Sequence, residues 1–392
     1  MRSLTTGLAL TAQQAEMLDE LNRYLDEHFP PEHEGPSGST PEWDSDEEYE
    51  WNRRFNARLA RDGWLTVHWP EEYGGRGLTP MDNMLVREQL SYRRVPICNA
   101  NGLDMLAPIL LQLGTKEQKD AHLRKIALME EHWCQGFSEP EAGSDLTSLR
   151  TTAIRDGDHY VVNGSKIWTG HAMRAEWMIL LARTDPESRG SRGLSLLMVD
   201  LRNTPGVEIH PIRSMTGAVT FCQEFFTDAR VPVENLVGPE HEGWRASQRL
   251  LEHERVRAAN SALYRRDVDD LVEAVVARDV VDRATQAALG HMIERVECAR
   301  ALTYDIATEL SETGRFAPHA PSVTKILNSR LGGDLTRLAV DLLGLDVCSY
   351  RADDANWDFY QEFLFSPVSR LGGGSTEIHH DIIGTRYLGL ER

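Results

Sequence analysis

The spacing of hydrophobic residues divides the chain into three consecutive zones. From about residue 11 to residue 131, apolar residues recur at helical intervals; Leu18, Leu21 and Leu25, for example, are separated by three and four positions. This spacing predicts amphipathic helices whose apolar faces pack together. The stretch 70–77, PEEYGGRG, interrupts the pattern with a proline and glycines that favour turns, so we expect a loop between helices there.

A β-strand texture follows between about residues 133 and 238. Two dipeptides typical of tight turns, Asp156-Gly157 and Asn163-Gly164, lie within one alternating segment. Further short strands are predicted for GLSLLMVDL, GVEIHPI and FCQEFFTD, which are bounded by Pro, Gly or Asn. Strands and turns at this spacing indicate a small barrel or sandwich.

The remainder of the chain, from residue 243 onward, returns to helical spacing. The run 244–263 contains neither Pro nor Gly, and the run 289–310 has only Gly290 near its start. Long uninterrupted helices of this kind predict a helix bundle. The predicted fold class is therefore α+β, with an N-terminal helical domain, a middle β-barrel or sandwich domain and a C-terminal helical bundle. The predicted domain boundaries are 1–132, 133–238 and 239–392.

Composition narrows the class of protein. The chain has 392 residues, of which 41% are hydrophobic and 26% charged, as in ordinary globular proteins with a large core. Its 61 acidic residues outnumber 42 basic ones, which gives a net charge of −19. This balance argues against nucleic acid as a partner, because binding to a phosphate backbone needs clustered cations. It leaves room for a phosphorylated small ligand, which a few local arginines or a helix N-terminus can hold.

The spacing of the cysteines and the lack of a targeting pattern at the first residues predict a reducing compartment. The five cysteines are Cys98, Cys134, Cys222, Cys298 and Cys348. No two of them form a C-x-x-C pair, so we expect buried free thiols rather than disulfides or a zinc site. No run reaches the ~18 apolar residues of a membrane span, and the first residues lack a signal- or transit-peptide pattern. We therefore expect a cytoplasmic protein.

Two motifs near the middle of the chain carry candidate chemistry. The segment 137–146, FSEPEAGSDL, contains a turn whose backbone N–H groups could face an anion or a polar ring. The segment 162–170, VNGSKIWTG, places Trp168 beside Thr169 at a strand end. Trp168 could wall a flat ring system, and Thr169 could donate a hydrogen bond to it. The alternatives are a connecting loop and a core tryptophan with a neighbouring threonine.

Together these two motifs resemble the acyl-CoA dehydrogenase family. Further segments resemble it in the same order along the chain, at 70–77, 113–127, 228–238, 297–305 and 372–390, the last reading GGGSTEIHHDIIGTRYLGL. The resemblance implies an N-terminal helical domain, a middle β domain and a C-terminal four-helix bundle. It also implies that the protein binds FAD and removes hydrogens from the α and β carbons of an acyl-CoA thioester.

The resemblance also assigns roles to particular positions. It implies that the flavin is contacted by Phe137, Ser138, Gly143, Ser144, Trp168, Thr169 and Ser375. Ser144 is also expected near the acyl-CoA, together with Arg255 and Gly373. In this chemistry donors stabilise the developing enolate oxygen, a carboxylate removes the α proton, and the β hydride passes to the flavin. The sequence must therefore supply one carboxylate.

The position of that carboxylate departs from the pattern of many family members. They carry a Glu just before a G-[ST]-[ST] turn near the C-terminus, where this chain has Gly373. Other branches carry the base on the first helix of the C-terminal domain, directly before an Arg. The matching residues here are Glu254 and Arg255, so Glu254 is the predicted base.

Helical spacing supports the same residue independently. Glu254 follows Leu250 by four positions and Leu251 by three, which puts it on the apolar stripe of its helix. A carboxylate on a buried face is unfavourable because desolvation destabilises its charge, and a role as general base is one reason to keep it there. The alternatives are a surface Glu at the helix edge and an ion pair with Arg255.

Two stretches that hold the ADP half of FAD in homomeric family members are missing. R-x-x-F-G would fall on Val272, Val275 and Val276, and Q-x-x-G-G on Asp341, Gly344 and Leu345. An Asp near a pyrophosphate is unfavourable through like-charge repulsion. The actinobacterial steroid side-chain branch is similar in both respects and pairs a base-bearing chain with a second, related chain as an α2β2 heterotetramer. We therefore expect the catalytic subunit of such an assembly; a homo-oligomer with altered flavin contacts is the alternative.

The leading functional hypothesis is a dehydrogenase that passes electrons to an electron-transfer flavoprotein and acts on a bulky, branched or steroid side-chain acyl group. One alternative is a flavin oxidase or monooxygenase of the same fold, which needs access for O2. Another is a non-catalytic subunit of a heteromer, against which Glu254 argues. The adjacent His379 and His380 do not share a helix face, so we expect surface histidines rather than a metal site.

Overall fold

The computed structural model describes residues 9–35, 45–258, 261–279, 281–317, 319–348 and 357–391. Helices occupy the first part of the chain, a sheet the middle and helices again the last part. This order confirms the predicted α+β class. Within the described residues, no helix is long and apolar enough to cross a membrane.

α-Helices and a π-helical turn form the N-terminal part. They are α1 (Ala12–His28), α2 (Asp46–Arg61), α3 (Pro80–Tyr92), the π-helical turn Gly102–Leu106, α4 (Ala107–Leu113) and α5 (Lys116–Ala127). Thr11, Thr79 and Thr115 each complete a capping box, which satisfies backbone donors at the start of α1, α3 and α5. The predicted stripe on α1 is confirmed, because Leu21 and Leu25 are fully enclosed in the core.

One hydrogen-bonded sheet forms the middle part. Its strands are β1 (Trp133–Gly136), β2 (Thr152–Asp156), β3 (His159–Gly170), β4 (Trp177–Arg183), β5 (Leu194–Asp200), β6 (Val207–Ile212), β7 (Phe221–Pro232) and β8 (Leu236–Val237). The strand order is β6-β7-β3-β2-β4-β5-β8, and β1 pairs with β4 in parallel. The sheet buries its own apolar cluster, which includes Tyr160, Val162 and Phe226.

The two predicted turn dipeptides have different outcomes. Asp156-Gly157 closes the hairpin between β2 and β3 as expected, with Gly157 at φ +63°. Asn163-Gly164 is not a turn, so that prediction is wrong; it lies inside β3 at a β-bulge against β7. A Cβ on Gly164 would lie 2.5 Å from the Thr151 hydroxyl oxygen. The glycine is therefore required by a neighbouring segment rather than by a chain reversal.

The last part consists of helices. They are α6 (Gly243–Ala258), α7 (Ser261–Ala277), α8 (Arg283–Thr313), α9 (Ala320–Leu343), α10 (Trp357–Ser369) and α11 (Thr376–Ile382), followed by a π-helical turn at Ile383–Tyr387. α9 packs against α6, α7, α8 and α10, and α7 packs against α8. This arrangement confirms the predicted bundle. The run 244–263 is divided between α6 and α7, and residues 259 and 260 lie outside the described part.

A buried ion-pair network joins the N-terminal helices to the bundle. Arg300 on α8 is 2% exposed, and its Nε donates to Glu88 Oε1 on α3 over 3.0 Å. Tyr304 donates to the second oxygen, Glu88 Oε2, over 2.6 Å, and accepts from Arg300 Nη2. Glu297 also accepts from Arg300. Both oxygens of Glu88 therefore have donors, which offsets the desolvation of its charge.

The cysteines are only partly as expected. Cys134 and Cys222 are buried free thiols in the sheet, and Cys98 is half-buried. Cys298 is exposed on α8, so the prediction that all five are buried is wrong. The side chain of Cys348 lies outside the described part of the chain.

Candidate active site

The two motifs predicted to line a flavin lie side by side. β1 leads directly into the first motif, and the Ile167 N–H of the second motif donates to the Ser138 carbonyl oxygen over 2.9 Å. Gly143 and Ser144 are exposed, so the turn they form is open to a ligand. The Phe137 ring is 4% exposed and packs in the core, so its backbone rather than its side chain can face a ligand.

Trp168 stands at a β-bulge near the end of β3. Its φ is +64°, a region that bulky residues rarely adopt, and the register against β7 shifts between Ile167 and Thr169. The indole is 59% exposed and meets the edge of Phe221 with ring centroids 6.3 Å apart. A strained backbone that presents a flat aromatic side chain to solvent is typical of a ligand-facing position.

The bulge sends Thr169 into the protein. Its side chain is 1% exposed, and its hydroxyl donates to Glu224 Oε2 over 2.6 Å. The expectation that this hydroxyl faces a flavin nitrogen is therefore not supported by its geometry. The backbone of Thr169 pairs with Cys222 of β7 directly after the bulge.

A buried polar network that the sequence did not predict supports both motifs. The Lys166 side chain is fully buried, and its Nζ donates to the Phe137 carbonyl oxygen (3.0 Å) and to Glu139 Oε1 (2.9 Å). Glu139 also accepts from the backbone N–H groups of Arg150 and Thr151, over 2.7 and 2.9 Å. The first motif is thereby tied to β3. A lysine on the inward-facing side of a strand was the one signal for this network.

Burial sets the protonation of these groups. It lowers the pKa of Lys166 to about 8, although Glu139 acts in the opposite direction. Burial alone would raise the pKa of Glu139, but Lys166 and the donors from Thr151 and Arg150 hold it below its ordinary value. Burial raises the pKa of Glu224 to about 7. Glu224 Oε1 is buried and accepts no hydrogen bond from the described residues.

The predicted base faces the C-terminal turn. Leu250 is fully buried and Leu251 packs against the same core, so α6 has the predicted apolar side. Glu254 lies half-buried on it. A Cβ placed on Gly373 would lie 3.6 Å from Glu254 Oε1 and 3.6 Å from Lys325 Cε. The α6 carboxylate thus reaches the space in front of the second possible base position, which glycine leaves open.

One oxygen of Glu254 has no partner in the described part of the chain. Oε2 is buried, and no donor among those residues hydrogen-bonds to it. Buried carboxylate oxygens are normally hydrogen-bonded, and an exception calls for an explanation such as a catalytic role. The side chain of Arg255, the predicted companion of Glu254, lies outside the described residues.

His379 holds the glycine turn in place. Its Nε2 lies 3.1 Å from the Gly373 carbonyl oxygen, and its Nδ1 lies 3.1 Å from Ser322 Oγ. Ser375 is the N-cap of α11. The His379 ring is fully buried, whereas His380 is exposed. The prediction that both histidines lie at the surface is therefore wrong for His379.

The positions matched to the ADP-binding stretches lie in the bundle. Val276 on α7 is 61% exposed, and Asp341 near the end of α9 is exposed. Val272 is half-buried and Val275 is buried, while Gly344 and Leu345 are exposed after α9. An exposed carboxylate stands where glutamine is expected, and a half-buried and a buried valine stand where arginine and phenylalanine are expected, so these positions are poorly suited to a pyrophosphate.

A cleft of about 840 Å³ opens beside the start of α6. The loop between β4 and β5 contributes Arg189 and Arg192, and α6 contributes Arg245. Carboxylates also line this cleft, from Asp185, Glu187 and Glu242. Its mixed charge suits a ligand with both phosphate groups and hydroxyl or amino donors.

Arg183 at the end of β4 fixes the loop that lines this cleft. Its guanidinium donates to the carbonyl oxygens of Thr147, Ser188, Gly190 and Arg192 over 3.2, 3.3, 3.1 and 2.9 Å. Thr147 follows the first motif directly. One side chain therefore links the exposed turn of that motif to the arginine-bearing loop.

The candidate residues thus form two groups. The first contains the 137–146 turn and Trp168, on the middle sheet, and the second contains Glu254 and Gly373, on the helices of the last part. The two parts of the fold meet where α6 packs against β5. The arrangement offers a flat, exposed aromatic wall, an open turn and a half-buried carboxylate.

Comparison with known proteins gives a consistent result along the chain. Models described as the N-terminal, middle and C-terminal domains of acyl-CoA dehydrogenase match residues 11–130, 134–228 and 241–388. The acyl-CoA dehydrogenase IpdE1 of Mycobacterium tuberculosis is 37% identical over 88% of this chain and 90% of its own length.

Solved structures are similar over nearly the full length. The ChsE4-ChsE5 complex from Mycobacterium tuberculosis contains a chain that matches with a TM-score of 0.86 and 31% identity, covering 100% of both chains. A chain of the Tcur3481-Tcur3483 steroid ACAD matches with a TM-score of 0.87 and 27% identity, covering 99% of this chain and 100% of that one.

Proposed function

This chain belongs to the acyl-CoA dehydrogenase family, a family of oxidoreductases, and from that premise we propose that it introduces an α,β double bond into an acyl-CoA thioester, with FAD as cofactor and Glu254 as the base. One observation carries the proposal more than any other. Glu254 is half-buried, its Oε2 lacks a donor among the described residues, and it faces the open space at Gly373.

FAD fits the first group of residues. The exposed indole of Trp168 offers a wall for a flat ring, and the exposed turn at Gly143 and Ser144 offers backbone N–H groups. The buried Lys166–Glu139 ion pair ties the backbone of the turn to β3. We propose that these residues, the backbone of Phe137, Ser138 and Thr169, and Ser375 hold the cofactor. When bound, FAD would supply the hydride acceptor.

Proton removal is assigned to Glu254. Its Oε1 faces the position of Gly373, and its buried Oε2 has no donor among the described residues, so no described group holds the carboxylate in another role. Partial burial excludes part of the water that would otherwise solvate the carboxylate, which strengthens its interaction with an acidic C–H. An added carbon at Gly373 would be in ordinary contact with Glu254 Oε1, so we propose that this position, left without a side chain, receives the α carbon. His379 contributes indirectly, by holding the Gly373 carbonyl in place.

Ser144 and the cleft beside α6 would bind the CoA part. Arginines form bidentate, charge-assisted bonds with phosphates, and Arg189, Arg192 and Arg245 line that cleft. Arg183 holds the loop that carries two of them at a set place relative to the first motif. Arg255 remains a predicted substrate contact.

A bulky, branched or steroid side-chain acyl group is the proposed substrate class. The absence of a side chain at Gly373 leaves space in front of Glu254 Oε1. The similarity to the Tcur3481-Tcur3483 steroid ACAD supports the same class. A set of straight-chain, α-branched and steroid acyl-CoA thioesters, compared by kcat/KM, tests it; a preference for short straight chains would contradict it.

We further propose that a second, related chain completes the flavin site, and that an electron-transfer flavoprotein accepts the electrons. Asp341 and Val276 are poorly suited to a pyrophosphate, and one similar structure is a two-component complex. The chain purified alone is expected to hold less than one FAD per subunit and to gain FAD with its partner. Full flavin content in the isolated chain would favour a homo-oligomer instead.

The central experiment is anaerobic reduction of the bound flavin by an acyl-CoA, compared for Glu254→Gln and Glu252→Gln. General-base catalysis contributes about 10²- to 10⁴-fold, so the first variant should lose activity in that range. Glu252→Gln, two positions away on α6, controls for loss of a negative charge on the helix and should retain activity. Full activity in Glu254→Gln would remove the assignment. Rapid peroxide formation in air would indicate an oxidase or monooxygenase.

A further inference from the structure

A second arginine-lined cleft lies outside the candidate active site, between α2 and α5. It encloses about 450 Å³. Arg53, Arg54 and Arg61 line it from α2, and Arg124 lines it from α5. Alanines of both helices, Ala57, Ala60 and Ala127, form its floor. We call this feature the α2–α5 cleft.

The charge of the α2–α5 cleft is opposite to that of the whole protein. The chain carries a net charge of −19, yet four arginines and a single carboxylate, from Glu130, line this cleft. Arg54, Arg61 and Arg124 are exposed. Neighbouring guanidinium groups repel one another, so a bound anion would stabilise such a cluster.

Arg53 is held in a defined position. Its Nε donates to Glu50 Oε2 over 3.0 Å, and its Nη1 donates to the Met129 carbonyl oxygen over 3.4 Å. It therefore bridges α2 to the segment after α5. The exposed arginines surround this anchored one, and the small floor side chains leave depth beneath them. The result is a concave, partly enclosed site rather than a flat basic patch.

We propose that the α2–α5 cleft binds a small organic ligand that carries at least two phosphate groups. Its volume lies in the range of about 300–1,000 Å³ that is usual for small-molecule sites. Arginine is the side chain best matched to phosphate, through paired N–H donors. The alanine floor leaves an apolar surface for the organic part. A concave site of this size favours a small molecule over an acidic protein segment.

The cleft also has a direct connection to the candidate flavin turn. Leu128, Met129 and Glu130 line it, and β1 begins three residues later at Trp133. β1 leads into the 137–146 motif. A ligand that draws the arginines together would therefore act on the segment that enters the flavin-lining turn.

Calorimetric titration of the FAD-loaded protein with inorganic pyrophosphate tests the proposal. Each lost arginine contact should weaken binding about tenfold, so Arg54→Ala/Arg61→Ala/Arg124→Ala should abolish measurable binding. Arg58→Ala is the matched control, because Arg58 lies on the same helix, is exposed and does not line the cleft. It should bind like the unaltered protein.

Further variants and a peptide ligand test which cleft binds pyrophosphate and which class of ligand it prefers. Arg189→Ala/Arg192→Ala removes arginines from the other cleft; if that variant alone loses binding, the α2–α5 cleft is not the pyrophosphate site and the proposal fails. Arg124→Glu reverses one exposed charge and should weaken binding at least as much as alanine does, while circular dichroism checks the fold. Tighter binding of a hexaglutamate peptide than of pyrophosphate would point to a protein partner and overturn the small-ligand proposal.

Discussion

Two regions of this molecule each contain a glutamate that is at least partly buried, and the two glutamates differ in their hydrogen bonding. At the junction of α3 and α8, Glu88 is 7% exposed, and both of its oxygens accept hydrogen bonds, from Arg300 and Tyr304. At the junction of α6 and the C-terminal turn, Glu254 is half-buried, and its Oε2 has no donor among the described residues.

The difference separates a structural role from a chemical one. A buried carboxylate with a donor at each oxygen joins two parts of the fold, and its charge is offset by its protein partners. A carboxylate with a buried oxygen that lacks a donor is unfavourable for stability, and such an exception in a folded protein points to a functional role. Glu224 lies between these cases, with Oε2 bonded to Thr169 and Oε1 without a donor in the described part of the chain.

The largest stability effect is expected at the fully paired site. Arg300→Met leaves Glu88 buried without its cation, so the free energy of unfolding should fall by about 3–5 kcal/mol. Denaturant titration measures this value, and flavin reduction in the remaining folded protein should be nearly unchanged. The exposed pair Arg230–Asp156, 3.0 Å apart, is the control; Arg230→Met should have an effect below about 1 kcal/mol. Similar losses in both variants would contradict the assigned role of Glu88.

Glu224, the intermediate case, should make the stability of the protein depend on pH. Burial raises the pKa of Glu224 to about 7 from an ordinary value of 4.5. The folded protein therefore binds more protons than the unfolded chain between these values, and stability falls as pH rises through this window. Relative to Glu224→Gln, the unaltered protein should lose about 2–3 kcal/mol between pH 4.5 and 8. Denaturation at several pH values checks this, and parallel curves for the two proteins would disprove it.

A smaller effect is expected when the space in front of Glu254 is filled. Gly373 has φ +69°, so Gly373→Ala should cost about 1 kcal/mol of stability through backbone strain. The new Cβ lies 3.6 Å from Glu254 Oε1, an ordinary contact, so the larger change should be a lower kcat/KM for branched substrates. Gly290→Ala within α8, where a Cβ meets nothing within 4 Å, should stabilise the protein instead. Unchanged selectivity in Gly373→Ala would show that this space does not receive the acyl group.

The smallest change in stability is expected for Glu254→Gln, the variant with the largest expected loss of activity. Glu254→Gln replaces a half-buried carboxylate whose Oε2 lacks a donor among the described residues, so the free energy of unfolding should stay the same or rise by up to about 1 kcal/mol. Thermal unfolding of the apoprotein measures this without interference from ligands. A loss of several kcal/mol would mean that Glu254 resembles Glu88 and serves the fold.

Much of this architecture follows from local pattern. The stripe on α1, the hairpin at Asp156-Gly157 and the apolar side of α6 each depend on residues within a few positions of one another, so spacing predicts them. The family resemblance points to Glu254, and the spacing from Leu250 and Leu251 supports its place on the apolar side of α6. The domain boundaries at 132/133 and 238/239 and the roles of the site residues remain predictions.

The missed features depend on contacts between distant parts of the chain. Asn163-Gly164 has the composition of a turn, but Thr151 on a neighbouring segment requires a glycine inside a strand. His379 is buried because Ser322, 57 positions earlier, and the Gly373 carbonyl flank its ring. Lys166 is paired with Glu139, 27 positions away. Helical or strand periodicity carries no information about such pairs.

The contacts of the Arg183 guanidinium bear on which thioester the protein can bind. It connects Thr147, just after the exposed turn, to the loop that bears Arg189 and Arg192. The positions that we propose for CoA, on the turn and on the arginine-bearing loop, are therefore held at a fixed separation by one side chain. A fixed separation of this kind would select for the length of the linker between the nucleotide and the sulfur of the thioester. A truncated thioester without the nucleotide would lose the contacts with Arg189 and Arg192 that we propose for CoA, whatever acyl chain it carries.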